Sequence, residues 1–149
     1  MRAEKRLEKW LQNIHIYVIL SKKDKGGSVL KIQESAENYL ETILMINERK
    51  GSVRSIDIVN ELEFSKPSVS VAMKNLREHG YINMDSDGYI TLTDKGSEIA
   101  EKMYERHTFI SQMLIKLGVD PKTAVEDACR IEHVISAETF EAIKKNWKE

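Results

Sequence analysis

Near the C-terminus, the stretch EDACRIEHVIS (residues 126–136) carries the single cysteine of the chain, Cys129, with Glu132 three residues on and His133 four on. On an α-helix, positions three and four apart project from the same face. A thiol, a carboxylate and an imidazole are therefore stacked on one side of a turn. Soft, hard and borderline donors in one place suit a divalent ion of the later first transition row. Without context the same turn is also what an amphipathic helix with a small buried cysteine looks like, because free Cys is among the most buried residue types. Other groups of matching chemistry stand elsewhere: His107 in MYERHTF, and Glu34, Glu37, Asn38 and Glu41 beside the apolar positions of an earlier helix.

The elements that must position these groups follow from periodicity. At 149 residues the chain suits one domain, or two small ones sharing a core. Two prolines and seven glycines leave long stretches free for helix, and one cysteine cannot form an internal disulfide. Residues 3–20 have apolar positions at helical spacing, and SKKDKGGS (21–28) reads as a charged linker. Residues 1–30 are thus expected to be a basic amphipathic extension, an over-extended start being the other reading. The run IHIYVIL is too short to span a bilayer, and no small-residue cleavage site follows it. A cytoplasmic protein is expected, with no membrane partner.

SAENYLETILMINERK predicts a helix capped by Ser35, with Tyr39, Leu40, Ile43, Leu44 and Ile46 on its apolar face. SIDIVNELEF (55–64) predicts a second, with Ile56, Val59 and Leu62 inward. SKPSVSVAMKNLREHG (65–80) predicts a third, capped by Ser65 and closed by Gly80. The period then changes from 3.6 to 2: YINMDSDGYITLT sets Ile82 and Met84 opposite Ile90 and Leu92 around Asp87-Gly88, a strong hairpin signal. A long helix over 94–118, another opened by DPKTAV and a last one over 137–147 complete the chain. Three helices followed by a two-stranded ribbon is the order of a winged helix–turn–helix. The fold class is mainly α, with that domain over 31–95 and a helical domain over 96–149.

In such a motif the second helix of the pair enters the major groove N-terminal end first. Here that end offers Ser65, Lys66, Pro67, Ser68, Ser70 and Val71, with Lys74 one turn on. Lys66 and Lys74 suit phosphates, whereas Ser68, Ser70 and Val71 suit base edges. No arginine or glutamine leads the helix, so readout is expected to lean on van der Waals contact and DNA shape. The formal net charge of −1 argues against indiscriminate binding to nucleic acid, but residues 1–31 hold eight Lys/Arg against three Asp/Glu, and residues 98–141 hold five against nine. A basic half and an acidic half suit a polyanion and a cation.

From about Gln33 onward the chain resembles the DtxR/MntR family of metal-dependent transcriptional repressors, through SAENYLETI, SKPSVS, LTDKGSEIA, ERHTF, GVDP and EDACRIEHVIS, in family order. The resemblance implies a homodimer that binds Fe(II) or Mn(II), with Zn(II), Co(II) or Ni(II) as substitutes in vitro, and then grips double-stranded operators of metal-uptake genes. It implies metal ligands at Cys129, Glu132 and His133, at His107, and at Glu41, which matches the first-helix carboxylate of manganese-type members. Asn38 stands where the family usually has Met or Asp. Ser111 and Val125 stand where iron-type members place ligands of an ancillary site. The short two-domain form, without an SH3-like third domain, is expected.

Two rival readings use the same residues. Cys129 could be a thiol sensor of a metal-independent regulator, although a sensor needs a low pKa and Glu126, Asp127 and Glu132 would raise it. A hydrolase built on Cys129 and His133 or on a bound metal would need an oxyanion hole, a phosphate loop or an HExxH run, and the sequence has none of these. No small-molecule substrate is expected.

Overall fold

The computed structural model describes residues 29–147. Most of the N-terminal extension, residues 1–28, lies outside the described residues. The chain forms two compact units, divided between Met103 and Tyr104.

The first unit runs α1 (Val29–Lys50), α2 (Ser55–Leu62), α3 (Lys66–Glu78), β1 (Ile82–Met84), β2 (Ile90–Leu92) and the beginning of α4 (Asp94–Lys116). Its core joins Leu40, Ile43 and Ile46 of α1, Ile58 and Leu62 of α2, Val69, Met73 and Leu76 of α3, and Ile82 and Ile90 of the ribbon. These are the apolar stripes that periodicity picks out, with two corrections. Ser35 does not cap α1: the helix already begins at Val29, and Ser35 is an exposed interior residue. Nothing between Ser28 and Ser35 breaks a helix, and a serine caps only where the chain must enter one. Ile56 does not face inward but is 45% exposed. Two residues from Ile58, it lies some 200° round the helix from the inward stripe.

The turn between α2 and α3 is short because Glu63 adopts a left-handed conformation (φ 50°), and Phe64 packs edge-on against Tyr39 with ring centroids 5.9 Å apart. Ser65 caps α3 by accepting from Ser68 N at 3.3 Å. Gly80 (φ 77°) ends it: Gly80 N donates to Arg77 O and Tyr81 N to Leu76 O, a Schellman closure that needs the left-handed residue. The ribbon is antiparallel, with Ile82 opposite Leu92 and Met84 opposite Ile90. Its free edge is held by the segment before α2: Ile90 N donates to Val53 O at 2.8 Å, and Arg54 forms a bridge with Tyr89.

At the start of α2, the carboxylate of Asp57 accepts from Arg54 N at 2.8 Å and pairs with Lys50. Burial alone would raise its pKa, but the bonds from Lys50 and Arg54 N and their nearby charges bring it below the ordinary value. A depressed folded pKa contributes stability that is present above the unfolded value, near 3.9, and is lost as pH falls through the folded one. Asp57→Asn should therefore flatten the acid limb of the stability curve below about pH 4. Denaturation midpoints measured between neutral pH and pH 3 test this, and parallel curves for the two proteins would contradict it.

The second unit contains the rest of α4, then α5 (Pro121–Val134) and α6 (Ala137–Asn146). Gly118 (φ 93°) closes α4, Asp120 caps α5 through Lys122 N and Thr123 N, and Ser136 caps α6 through Thr139 N. Ile110, Ala128 and Phe140 form the core of this unit, and Phe109 stands edge-on to Phe140 at 5.6 Å.

Candidate functional site

The buried stripe of α5 is Ala124, Val125, Ala128, Cys129 and Glu132. Spacing of three and four residues puts the thiol and the carboxylate on this inward face rather than toward solvent. On α4 the corresponding stripe is Met103, Arg106, His107, Ile110 and Ser111. The two stripes meet at their polar members. His107 Nδ1 lies 2.7 Å from Glu132 Oε2, both side chains being buried. His133 Nε2 is 3.1 Å from the other carboxylate oxygen. Cys129 is 1% exposed.

Donor atoms of His107, Cys129 and Glu132 all lie within 4.8 Å of one another. Three atoms spaced no wider than this share a point within about 2.8 Å of each, against metal–ligand distances of about 2.0–2.3 Å, so shifts of roughly half an ångström would let them share an ion. Burial pushes the Glu132 carboxyl upward, but the bonds and charges of His107 and His133 outweigh it and hold the pKa below the usual carboxylate range. An ionised carboxylate kept between two imidazoles in a dry site has the chemistry a divalent cation requires. The donor set fits a metal.

Asn38 and Glu41 belong to the first unit, both buried, one turn apart on α1. Asn38 O accepts from the Thr42 hydroxyl at 2.7 Å, while Asn38 Oδ1 has no hydrogen-bond partner among the described residues. In the second unit, Ser111 spends its hydroxyl on the carbonyls of His107 and Thr108, at 2.8 and 3.1 Å, and Val125 is fully buried.

The face of α3 opposite its core stripe is the candidate nucleic-acid surface. Ser65, Lys66, Pro67, Ser68, Ser70, Val71 and Lys74 are all exposed, with Val71 at 60%. An exposed valine among serines and lysines has no packing reason to be there. Sequence reasoning missed Arg54. Its guanidinium donates to Asp87 O at 2.8 Å and stacks 4.3 Å from the Tyr89 ring centre. In the same wing, Asp85 spends its carboxylate on the amides of Asp87 and Tyr89. Arg54 thus sets a cation beside the aspartates of the wing.

A winged helix with an exposed recognition surface, in one chain with a helical unit able to hold a divalent cation, defines a metal-responsive DNA-binding regulator. Residues 31–90 match the family described as the N-terminal DNA binding domain of iron dependent repressors, and residues 93–148 match the metal binding and dimerisation domain of the same repressors. The chain is 37% identical over 115 residues to an uncharacterized HTH-type transcriptional regulator of Methanocaldococcus jannaschii, covering 76% of this chain and 92% of that protein. It is 33% identical over 112 residues to the transcriptional regulator MntR of Escherichia coli, covering 75% and 72%. The solved structure of the manganese regulator SloR superposes with a TM-score of 0.66 at 28% identity, over 74% of this chain and 52% of SloR, so the chain spans about half of that regulator. The chain belongs to the iron-dependent repressor family, the DtxR/MntR family of metal-dependent transcriptional repressors. No described helix is long and apolar enough to cross a membrane.

Proposed function

We propose that the protein senses Mn(II) or Fe(II) and, as a homodimer, represses metal-uptake or metal-homeostasis genes by binding their operators. The observation that carries this reading is the convergence of His107, Cys129 and Glu132 within one buried cluster. His133, against the second oxygen of Glu132, is the fourth residue proposed for the site. Asn38 and Glu41 are proposed as further ligands on the family resemblance, supported for Asn38 by its buried, unpartnered Oδ1.

A bound cation would be held by His107, Cys129 and Glu132, which offer imidazole, thiolate and carboxylate donors. His107 would turn a ring nitrogen lone pair to the ion. Glu132, already held ionised, would contribute an oxygen, and Cys129 would bind as the thiolate. Loading controls DNA affinity only through a difference in cation affinity between the DNA-competent and incompetent states. A thiol-sensing role is disfavoured because Cys129 is 1% exposed, whereas a sensor thiol must meet its oxidant.

Anaerobic titration of metal-free protein with Mn(II), Fe(II) and Zn(II), reading dimerisation and affinity for an operator selected from a random duplex library, tests the proposal. Mn(II) or Fe(II) should tighten operator binding by roughly 5- to 150-fold. Zn(II) is expected to bind more tightly than Mn(II) at any such site, so activation rather than affinity identifies the effector. Equal operator affinity with and without each metal would sink the proposal.

The two kinds of α3 residue should separate in the same assay. Lys66→Ala should weaken binding to all sequences alike and lower the salt slope by about one. Val71→Ala should leave the salt slope unchanged and weaken only the selected operator. A uniform loss from Val71→Ala would contradict its assignment to a base edge.

A further inference from the structure

Beside the candidate ligands on α4 stands a charged residue that the binding chemistry does not use. Arg106 is 7% exposed, an unusual place for a guanidinium. Its Nη1 donates to Glu132 O and to Ile135 O, both at 3.1 Å. Its carbon Cζ sits 5.5 Å from the centre of the Phe140 ring on α6. The carbonyls at the end of α5 have no partners within their own helix, and a cation there also meets the negative end of the helix dipole. One terminal nitrogen with two hydrogens satisfies two of these carbonyls. Lysine, a single point charge on a flexible stem, does not reproduce this planar fork.

The carbonyl that Arg106 holds belongs to Glu132, and Arg106 itself immediately precedes His107. Two bonds thus tie the same pair of positions on α4 and α5: side chain to side chain between His107 and Glu132, and side chain to backbone between Arg106 and Glu132. They respond differently to loading. The first engages side chains that a cation at the cluster would also use. The second uses a backbone carbonyl that no cation at the cluster needs. We propose that Arg106 is the positioning residue of the cation site, holding the Glu132 backbone level with His107. The inference rests on the proposed cation binding at His107, Cys129 and Glu132. Ligand geometry tolerates errors of about 0.5 Å, so loosening this tie should cost affinity although Arg106 touches no ion.

A purely electrostatic role predicts the opposite sign. A fixed positive charge near the cluster repels a dication, so deleting it would tighten binding. Arg106→Lys keeps the charge and loses the fork; Arg106→Met loses both.

The test uses the full chain with Co(II) as probe, following the thiolate-to-cobalt charge-transfer band of Cys129 and the d–d bands that report coordination geometry. Amide hydrogen exchange in residues 133–136 of the metal-free protein provides a second readout. Both variants should bind Co(II) about 10-fold or more weakly, the loss typical of partners that orient a ligand, with altered d–d bands and faster exchange in the last turn of α5. Should Arg106→Met fail to fold, Arg106→Lys decides alone. Unchanged or tighter Co(II) binding by the variants, or unchanged exchange, overturns the positioning role. A wild-type protein that shows no thiolate band instead overturns the cation reading on which it rests.

Discussion

Replacing Glu132 by alanine should abolish the response to Mn(II) while leaving partial Zn(II) binding. Glu132 is 0% exposed, and its two oxygens meet His107 and His133 at 2.7 and 3.1 Å. Its removal leaves two imidazoles and a thiol. Those donors still suit Zn(II), but Mn(II) depends on carboxylate oxygen. The loss of Mn(II) affinity should therefore exceed about 100-fold, the upper range for a partner that only orients a ligand, and Zn(II) should lose less. A second consequence appears without metal. The charge-assisted bond from His107 disappears and a void replaces a buried side chain, together about 3 kcal/mol. Chemical denaturation of metal-free wild-type and variant proteins measures the stability effect, and competitive metal titration measures the affinity. A variant that still tightens on DNA with Mn(II) would place the sensor elsewhere.

Gly96→Ala should destabilise the winged helix by about 3 kcal/mol. Gly96 lies in the first turn of α4, where alanine would ordinarily be the better residue by about 1 kcal/mol. Here a Cβ would stand 2.0 Å from Tyr81 O and 3.0 Å from Tyr81 C. Backbone atoms cannot swing away as a side-chain end can. The same strand entry is pinned to the helix by Thr93, whose amide donates to Tyr81 O and whose hydroxyl donates to Gly80 O at 2.7 Å. Relief therefore means shifting the base of the wing or the start of α4, and the overlap outweighs the propensity gain. Urea denaturation should show a lower midpoint, and DNA affinity should fall with it. A Gly96→Ala protein as stable as wild type would mean that the helix does not approach Tyr81 so closely.

The fold was legible because its signals are local. Period-3.6 stripes, serines and prolines at helix starts, glycines at helix ends and Asp-Gly between alternating runs each specify a few neighbouring residues. Ser35 misled because a capping residue is informative only where a helix must start. Ile56 misled because a short helix allows more than one apolar stripe. For the cation site, the Cys129–Glu132–His133 turn is visible from spacing within α5, whereas its meeting with His107 on α4 is a packing result that no spacing encodes. Arg106 is not singled out by residue type, because arginine is ordinarily an exposed residue. Its position three residues after Met103 and four before Ile110 placed it on the inward stripe, and that was the available signal. The close approach of Gly96 to Tyr81 had only the weaker mark of a glycine inside a helical pattern.

The most direct test of cation control is operator binding by wild-type protein and by Cys129→Ala/Glu132→Ala, each measured with Mn(II), after chelation and after Mn(II) is restored. Wild-type affinity should fall on chelation and return with the metal, while the double variant should bind at the chelated level throughout. Operator affinity that ignores chelation in the wild type, or Mn(II) activation that survives in the double variant, would contradict control of DNA binding by a cation at this cluster.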